Sequence, residues 1–156
     1  MCSFPNFQLV RSKTRVSFSL ELIFRIADKN DISRIMNDSF PYLTEAEIKH
    51  DGKYINRIGD DDLLCFVGEK NGILVHYFLV YKNAVCSPLA KTPFNNSLIR
   101  HDDAYLGTAF TNPDVRGHSI VLISLSSILL YLRDTVKANR VYVLVHKDTL
   151  GADDFY

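Results

Sequence analysis

The sequence predicts an α/β (α+β) domain in which helices cover a mixed central sheet, and three observations predict it. Val16, Phe18, Leu20, Leu22, Phe24 and Ile26 stand at every second position, the period of a half-buried strand. The stretch "LLCFVGEKNGILVHYFLVYK" reads as two strands turned at Asn71-Gly72, a dipeptide that accepts the positive φ of a tight hairpin. After Gly117, Val121, Leu125, Ile128, Leu129, Leu132 and Val136 fall on one helical stripe, and a β-branched run "RVYVLVH" follows. Strands and helices interleaved in this way pack as a sheet with helices on it.

Taken in order, "FQLV" would pair across "RSKT" with the strand that ends near Ala27. Residues 1–19 are therefore expected as an N-terminal extension with an extra strand, and residues 20–156 as the domain proper. Asp28 is expected to cap a helix whose Ile32, Ile35 and Met36 share a face. Thr44 and Glu47 form a capping box for "TEAEIKHDGKYINRI", whose Gly52 weakens the middle. The hairpin strands are expected over 63–67 and 73–81. Residues 83–103 hold Pro88, Pro93, Asn95 and Asn96 without a sustained period and read as a long loop. "AYLGTAFT" is a strand. In the helix that follows, Leu122, Ile123 and Leu130 widen the apolar stripe, so the helix is expected to be nearly buried. Residues 140–146 read as an interior strand buried on both faces, with a last helical turn in "GADDFY".

Composition narrows the function. A chain of 156 residues suits one domain. Lys plus Arg and Asp plus Glu both number 18, so no global field recruits nucleic acid or an acidic membrane surface. The cluster Arg11, Lys13 and Arg15 reads as a solvated turn. "SIVLISLSSILLYL" is too short to span a bilayer, and the N-terminus lacks the apolar stretch of a signal peptide. Cys2, Cys65 and Cys86 fit neither a disulfide framework nor a zinc site, so a reducing cytoplasmic setting without a metal is expected.

One segment carries chemistry. In "NPDVRGHSIVLISL", Asn112, Pro113 and Asp114 break a strand, Gly117 permits a tight bend, and a helix begins. The first N–H groups of a helix have no intrahelical acceptor, and their summed dipole attracts a phosphate.

This segment resembles motif A of the GCN5-related N-acetyltransferases, the GNAT superfamily, whose pattern is Gln/Arg-x-x-Gly-x-Gly/Ala. Arg116 matches the first position; Ser119 stands for the glycine and Val121 for the Gly/Ala. "TLGADDFY" resembles motif B, with Thr149 in place of Asn, then Ala152, Phe155 and Tyr156. "FRIADKNDISRI" resembles the family's first strand and helix, so the resemblance covers about residues 20–156 in order. It ends before the last two strands that family members usually have, which would leave a sheet edge open and offer a route to a homodimer.

The resemblance implies a mostly antiparallel central sheet and an acetyl-CoA-dependent N-acetyltransferase in which an amine attacks the thioester directly. It implies that Phe110, Thr111, Val115, Arg116, Gly117, His118, Ser119 and Ile120 line the cofactor, with backbone N–H groups cradling its pyrophosphate. It implies that Tyr156 protonates the departing thiolate. The acceptor is expected to be a small-molecule amine. No carboxylate lies within "AYLGTAFT", where many family members keep their base, so His76 is the candidate base, with His101, Asp102 and Asp103 as substitutes. A histidine on an apolar strand is more often a satisfied core residue. Cys65 reads as a small core hydrophobe, Cys86 as an accessible loop thiol, and Tyr77, Phe78 and Tyr81 as sheet packing. The alternative reading is a catalytically degenerate binding or interaction module, favoured by Ser119 and by the carboxylate-free strand.

Overall fold

The computed structural model describes residues 22–93, 98–116 and 119–144. Its elements are β1 (Leu22–Ile26), α1 (Asp31–Ser39), α2 (Glu45–Ile55), β2 (Leu63–Lys70), β3 (Ile73–Tyr81), β4 (Asp103–Thr111), α3 (Ile120–Tyr131) and β5 (Arg140–Val143). The five strands lie in sequence order across one sheet. β1 through β4 pair antiparallel, and β5 joins β4 in parallel. A parallel pair needs a crossover, and α3 supplies it. This is the mixed sheet the pattern predicted, with the mostly antiparallel pairing that the family resemblance implied. The expected N-terminal extension and the turn in "GADDFY" lie outside the described residues.

Local chemistry explains most boundaries. Asn71 and Gly72 take φ of 53° and 79° at the turn between β2 and β3. The Thr44 hydroxyl accepts from the Glu47 N–H while Glu47 accepts from the Thr44 N–H at 2.8 Å, completing the capping box of α2. Gly52 does not interrupt that helix. The start of α1 differs from expectation: Asn30, not Asp28, holds the cap position. Asp28 instead accepts from the Asn30 N–H at 2.7 Å, an Asx turn just outside the helix. The reason lies in Asp31, whose carboxylate takes two bonds from Arg25, at 2.6 and 2.7 Å, and pins the first turn to β1. The loop after β3 is shorter in irregular chain than its composition implied, because Asn83 and Ser87 cap 3₁₀ turns at Ala84–Cys86 and Pro88–Lys91.

The sheet has two unlike faces. On one, α1 and α2 bury Ile35 and Ile55 against Cys65, Val67, Tyr77, Leu79 and Tyr81. On the other, Phe66, Phe78, Val80 and Leu106 meet Ile128 and Leu132 of the α3 region. A bulge opposite Gly68 and Glu69 turns Val75 toward the start of α3, where it packs with Val115 and Ile120.

Two expectations about burial are corrected. α3 buries only Ile120, Ser124 and Ile128, one residue per turn, while Leu122, Ile123, Leu129 and Leu130 are exposed. An apolar run shows that a helix has something to bury but not that both of its sides are covered, and here the sheet covers one. β5 is likewise half-exposed rather than buried on both faces, and among the described residues it pairs with β4 alone. Among those residues no helix is long and apolar enough to cross a membrane.

Candidate functional site

The β4–β5 ladder runs from Asp103↔Arg140 to Leu106↔Val143 and stops, whereas β4 continues to Thr111. From Gly107 to Thr111, therefore, the β4 edge facing away from β3 has no strand beside it among the described residues. Backbone groups along that edge have no strand partner among the described residues, and the Thr111 carbonyl there accepts from Arg116 Nε. A second bulge sets two residues of β4, Gly107 and Thr108, against Leu79 of β3, where the register shifts.

The chain then turns in a defined way. The Asn112 N–H donates to the Val75 carbonyl at 2.8 Å, and its side-chain oxygen accepts from the Asp114 N–H at 2.9 Å, starting the Pro113–Val115 turn. Buried Val115 fastens that turn to Val75 and Ile120. Arg116 is exposed, and its Nε donates to the Thr111 carbonyl at 3.2 Å. Ser119 takes φ 57° and ψ 20°, the left-handed region, and its hydroxyl caps nothing. The first helical bond runs from the Ile123 N–H to the Ser119 carbonyl at 3.0 Å. The N–H groups of Ile120, Val121 and Leu122 are thus left without an acceptor among the described residues. Phe110, Thr111, Val115 and Arg116 thus lie along the end of β4 and the turn after it, and Ser119 and Ile120 lie at the start of α3. Gly117, His118 and Tyr156 lie outside the described residues.

Thr111 and Phe110 face opposite sides. Phe110 is stacked on Tyr77 with ring centroids 5.5 Å apart. The Thr111 hydroxyl pairs with His76 Nδ1 at 2.9 Å. His76 is 1% exposed, its Nε2 has no partner among the described residues, and Phe24 and Phe78 meet the ring edge-on. Burial pushes this imidazole down to about 4, so it is neutral at physiological pH. The substitutes lie elsewhere. His101, Asp102 and Asp103 stand at the other end of β4, and Asp103 is fully buried on Arg140, at 2.8 and 3.0 Å. Cys65 is buried and its thiol is pushed up to about 12, mainly by desolvation, whereas Cys86 is exposed.

Beside the second bulge, on the α2 face, lies a pocket of about 60 Å³ lined by His50, Tyr54, Leu79, Tyr81, Pro88, Tyr105, Gly107 and Thr108. The Tyr81 hydroxyl is buried and has no partner among the described residues. Next to it runs a polar chain that the sequence did not announce. His50 Nδ1 lies 2.9 Å from Asp51 Oδ1, and the Tyr77 hydroxyl donates to Asp51 Oδ2. Asp51 is 3% exposed, while the His50 side chain is 58% exposed. Burial first, and then the Asp51 carboxylate, raise the Tyr77 phenol above its ordinary range. The adjacent His50-Asp51 pair in "IKHDGKY" was the available signal, but its meaning depends on Tyr77, 26 residues away.

No family model matches the sequence, and no curated protein matches it. Solved structures do. The aminoglycoside N-acetyltransferase AAC(6')-Iy in complex with CoA superposes with a TM-score of 0.62 at 11% identity, over 90% of this chain and 87% of that one. A ribosomal-protein-alanine N-acetyltransferase from Brucella melitensis biovar Abortus 2308 matches with a TM-score of 0.58 at 10% identity, over 86% and 87%. A predicted acetyltransferase from Clostridium acetobutylicum, solved with acetyl-CoA, matches with a TM-score of 0.56 at 17% identity, over 81% and 82%. The chain has the fold that these acetyltransferases share.

Proposed function

We propose that the protein transfers an acetyl group from acetyl-CoA to a small-molecule amine. The observation that carries this reading is the nearness in sequence of two sets of backbone donors without a partner among the described residues: the edge of β4 from Gly107 to Thr111 that faces away from β3, and the first turn of α3. An extended pantetheine arm suits the first as a strand would, and a pyrophosphate suits the second. Both sets are aligned by Asn112 and Val115, so they are preorganised by the fold.

In this reading residues Val115, Arg116, Gly117, His118, Ser119 and Ile120 hold the pyrophosphate. Phe110 and Thr111 supply backbone groups to the acyl arm, and Tyr156 protonates the thiolate. His76 holds the Thr111 hydroxyl and so fixes the end of β4. Ser119 fits the group despite its side chain, because its backbone already has the left-handed conformation that glycine takes without strain. The acceptor amine enters from the other face, where Tyr54, Tyr81 and Tyr105 give the pocket an aromatic wall that suits an ammonium. The aminoglycoside acetyltransferase among the similar structures acts on an amine of that general kind.

The test is release of free CoA by the intact chain from acetyl-CoA and a panel of primary amines. Amine-dependent release is expected, and Arg116→Glu should weaken acetyl-CoA binding by about tenfold through charge repulsion near the phosphates. Binding unchanged by Arg116→Glu would remove the turn from the site.

A further inference from the structure

Resting on the proposed acetyl transfer, the geometry points to His50 as the general base that deprotonates the acceptor amine, with Asp51 and Tyr77 as residues that position it. β4 has no carboxylate beyond Asp103, and Asp103 is occupied by Arg140. His50, by contrast, lines the pocket together with Gly107 and Thr108, the residues of the β4 bulge at the unpaired edge.

The arrangement is directional. The Tyr77 hydroxyl is a donor, so Asp51 receives it on Oδ2 and keeps Oδ1 for His50. A carboxylate on Nδ1 holds the proton there and leaves Nε2 as the bare nitrogen. Asp51 is buried and reaches back into the core, so the imidazole is held from the protein side while most of its own surface stays in solvent. Tyr54, in edge contact with the His50 ring at 5.1 Å, fixes its plane.

Asp51 bonds the His50 ring from α2, and the titratable groups that line the pocket with it are Tyr54 from α2, Tyr81 from β3 and Tyr105 from β4. Burial raises Tyr81 and Tyr105 above the ordinary phenol range, so they stay protonated and do not compete as bases.

The step balances. His50 Nε2 takes one proton from the acceptor ammonium, and the freed lone pair forms the C–N bond to the thioester carbonyl carbon as the C–S bond breaks. The second proton lost by the nitrogen goes to the thiolate, giving free CoA. The proton on His50 leaves to solvent, for which its exposure provides a path.

The experiment compares two acceptors on the full chain with acetyl-CoA: propylamine, which is protonated near neutral pH, and hydroxylamine, which is largely neutral there and needs no base to free its lone pair. His50→Gln should lower kcat/KM for propylamine by about 100-fold or more and remove the acidic limb of its pH profile, with a loss on hydroxylamine at least about tenfold smaller. Asp51→Asn should move the neutral His50 toward the other tautomer, read from its imidazole ¹⁵N shifts, and lower the propylamine rate as well. Equal losses on both acceptors, or a propylamine rate and pH profile unchanged by His50→Gln, would overturn the assignment while leaving acetyl transfer intact. Failure of the wild-type chain to bind acetyl-CoA or to acetylate either acceptor would instead remove the proposed function, and this inference with it.

Discussion

On the α1/α2 face of the sheet, two helices close over Cys65, Val67, Tyr77, Leu79 and Tyr81 and carry polar chains into the interior, Arg25–Asp31–Glu69 at one end and Asp51–Tyr77 near the pocket. On the opposite face α3 buries Ile120, Ser124 and Ile128, with half-buried Leu125 and Tyr131 beside them and Leu132 just after, and turns Leu122, Ile123, Leu129 and Leu130 to solvent. The difference separates two kinds of chemistry. Apart from buried His76, the side chains with fixed partners that are able to handle protons gather under α1 and α2; the α3 side offers backbone N–H groups and a turn, which suit a phosphate-bearing arm. A transferase needs both, one on each side of the strand where the acyl group would lie, and β4 is the strand they share.

The thin packing of α3 gives the largest expected effect. Ile128→Ala should cost about 3 kcal/mol, because it empties a fully buried position that no second layer can refill. Leu129→Ala, one residue along the same helix and 41% exposed, should cost less than about 0.5 kcal/mol. Chemical denaturation of the two variants reads this contrast directly, and equal costs would show that something covers the outer row of α3.

The same face contains the pH-sensitive core group. His76 is neutral in the folded state because burial lowers its pKa to about 4, below the ordinary 6.5. The unfolded chain therefore binds the extra proton first as pH falls. Stability should be full above about pH 6.5 and fall by up to roughly 3 kcal/mol as pH drops toward 4, a slope that His76→Leu removes. On the α1/α2 face the order is different. Asp31, held near 2 chiefly by its hydrogen bond from Arg25, and Glu69, lowered by Arg34 and Arg25, keep their contribution until the pH falls below about 4. Denaturation curves between pH 7.5 and 4.5 distinguish the two.

What the sequence made legible follows the range of the interactions. The hairpin at Asn71-Gly72 and the Thr44–Glu47 box are local, three residues or fewer across, and both stand as read. The helix cap at Asp28 did not, because Arg25 draws Asp31 into the first turn instead. α3 and β5 are less buried than their apolar runs imply, since such a run does not record how many neighbours face it. The end of β4 and the start of α3 were legible as a strand giving way to a helix. The His50–Asp51–Tyr77 chain was not, because it exists only once α2 lies across β3.

The smallest effect concerns Ser119. Its left-handed backbone costs a non-glycine residue about 1 kcal/mol, so Ser119→Gly should stabilise the fold by up to that amount and should tighten acetyl-CoA by clearing a side chain from the turn. If Ser119→Gly stabilises the fold without tightening binding, the strain belongs to the helix start alone.

The central claim, that the edge of β4 left without a second strand among the described residues and the α3 turn together hold acetyl-CoA, is tested most directly by calorimetry of the full chain with acetyl-CoA. A one-to-one complex with micromolar affinity, weakened when Gly107→Ala places a methyl group 3.2 Å from the Leu79 carbonyl at the bulge, is the predicted result. The absence of any binding heat from the intact, folded protein would contradict it.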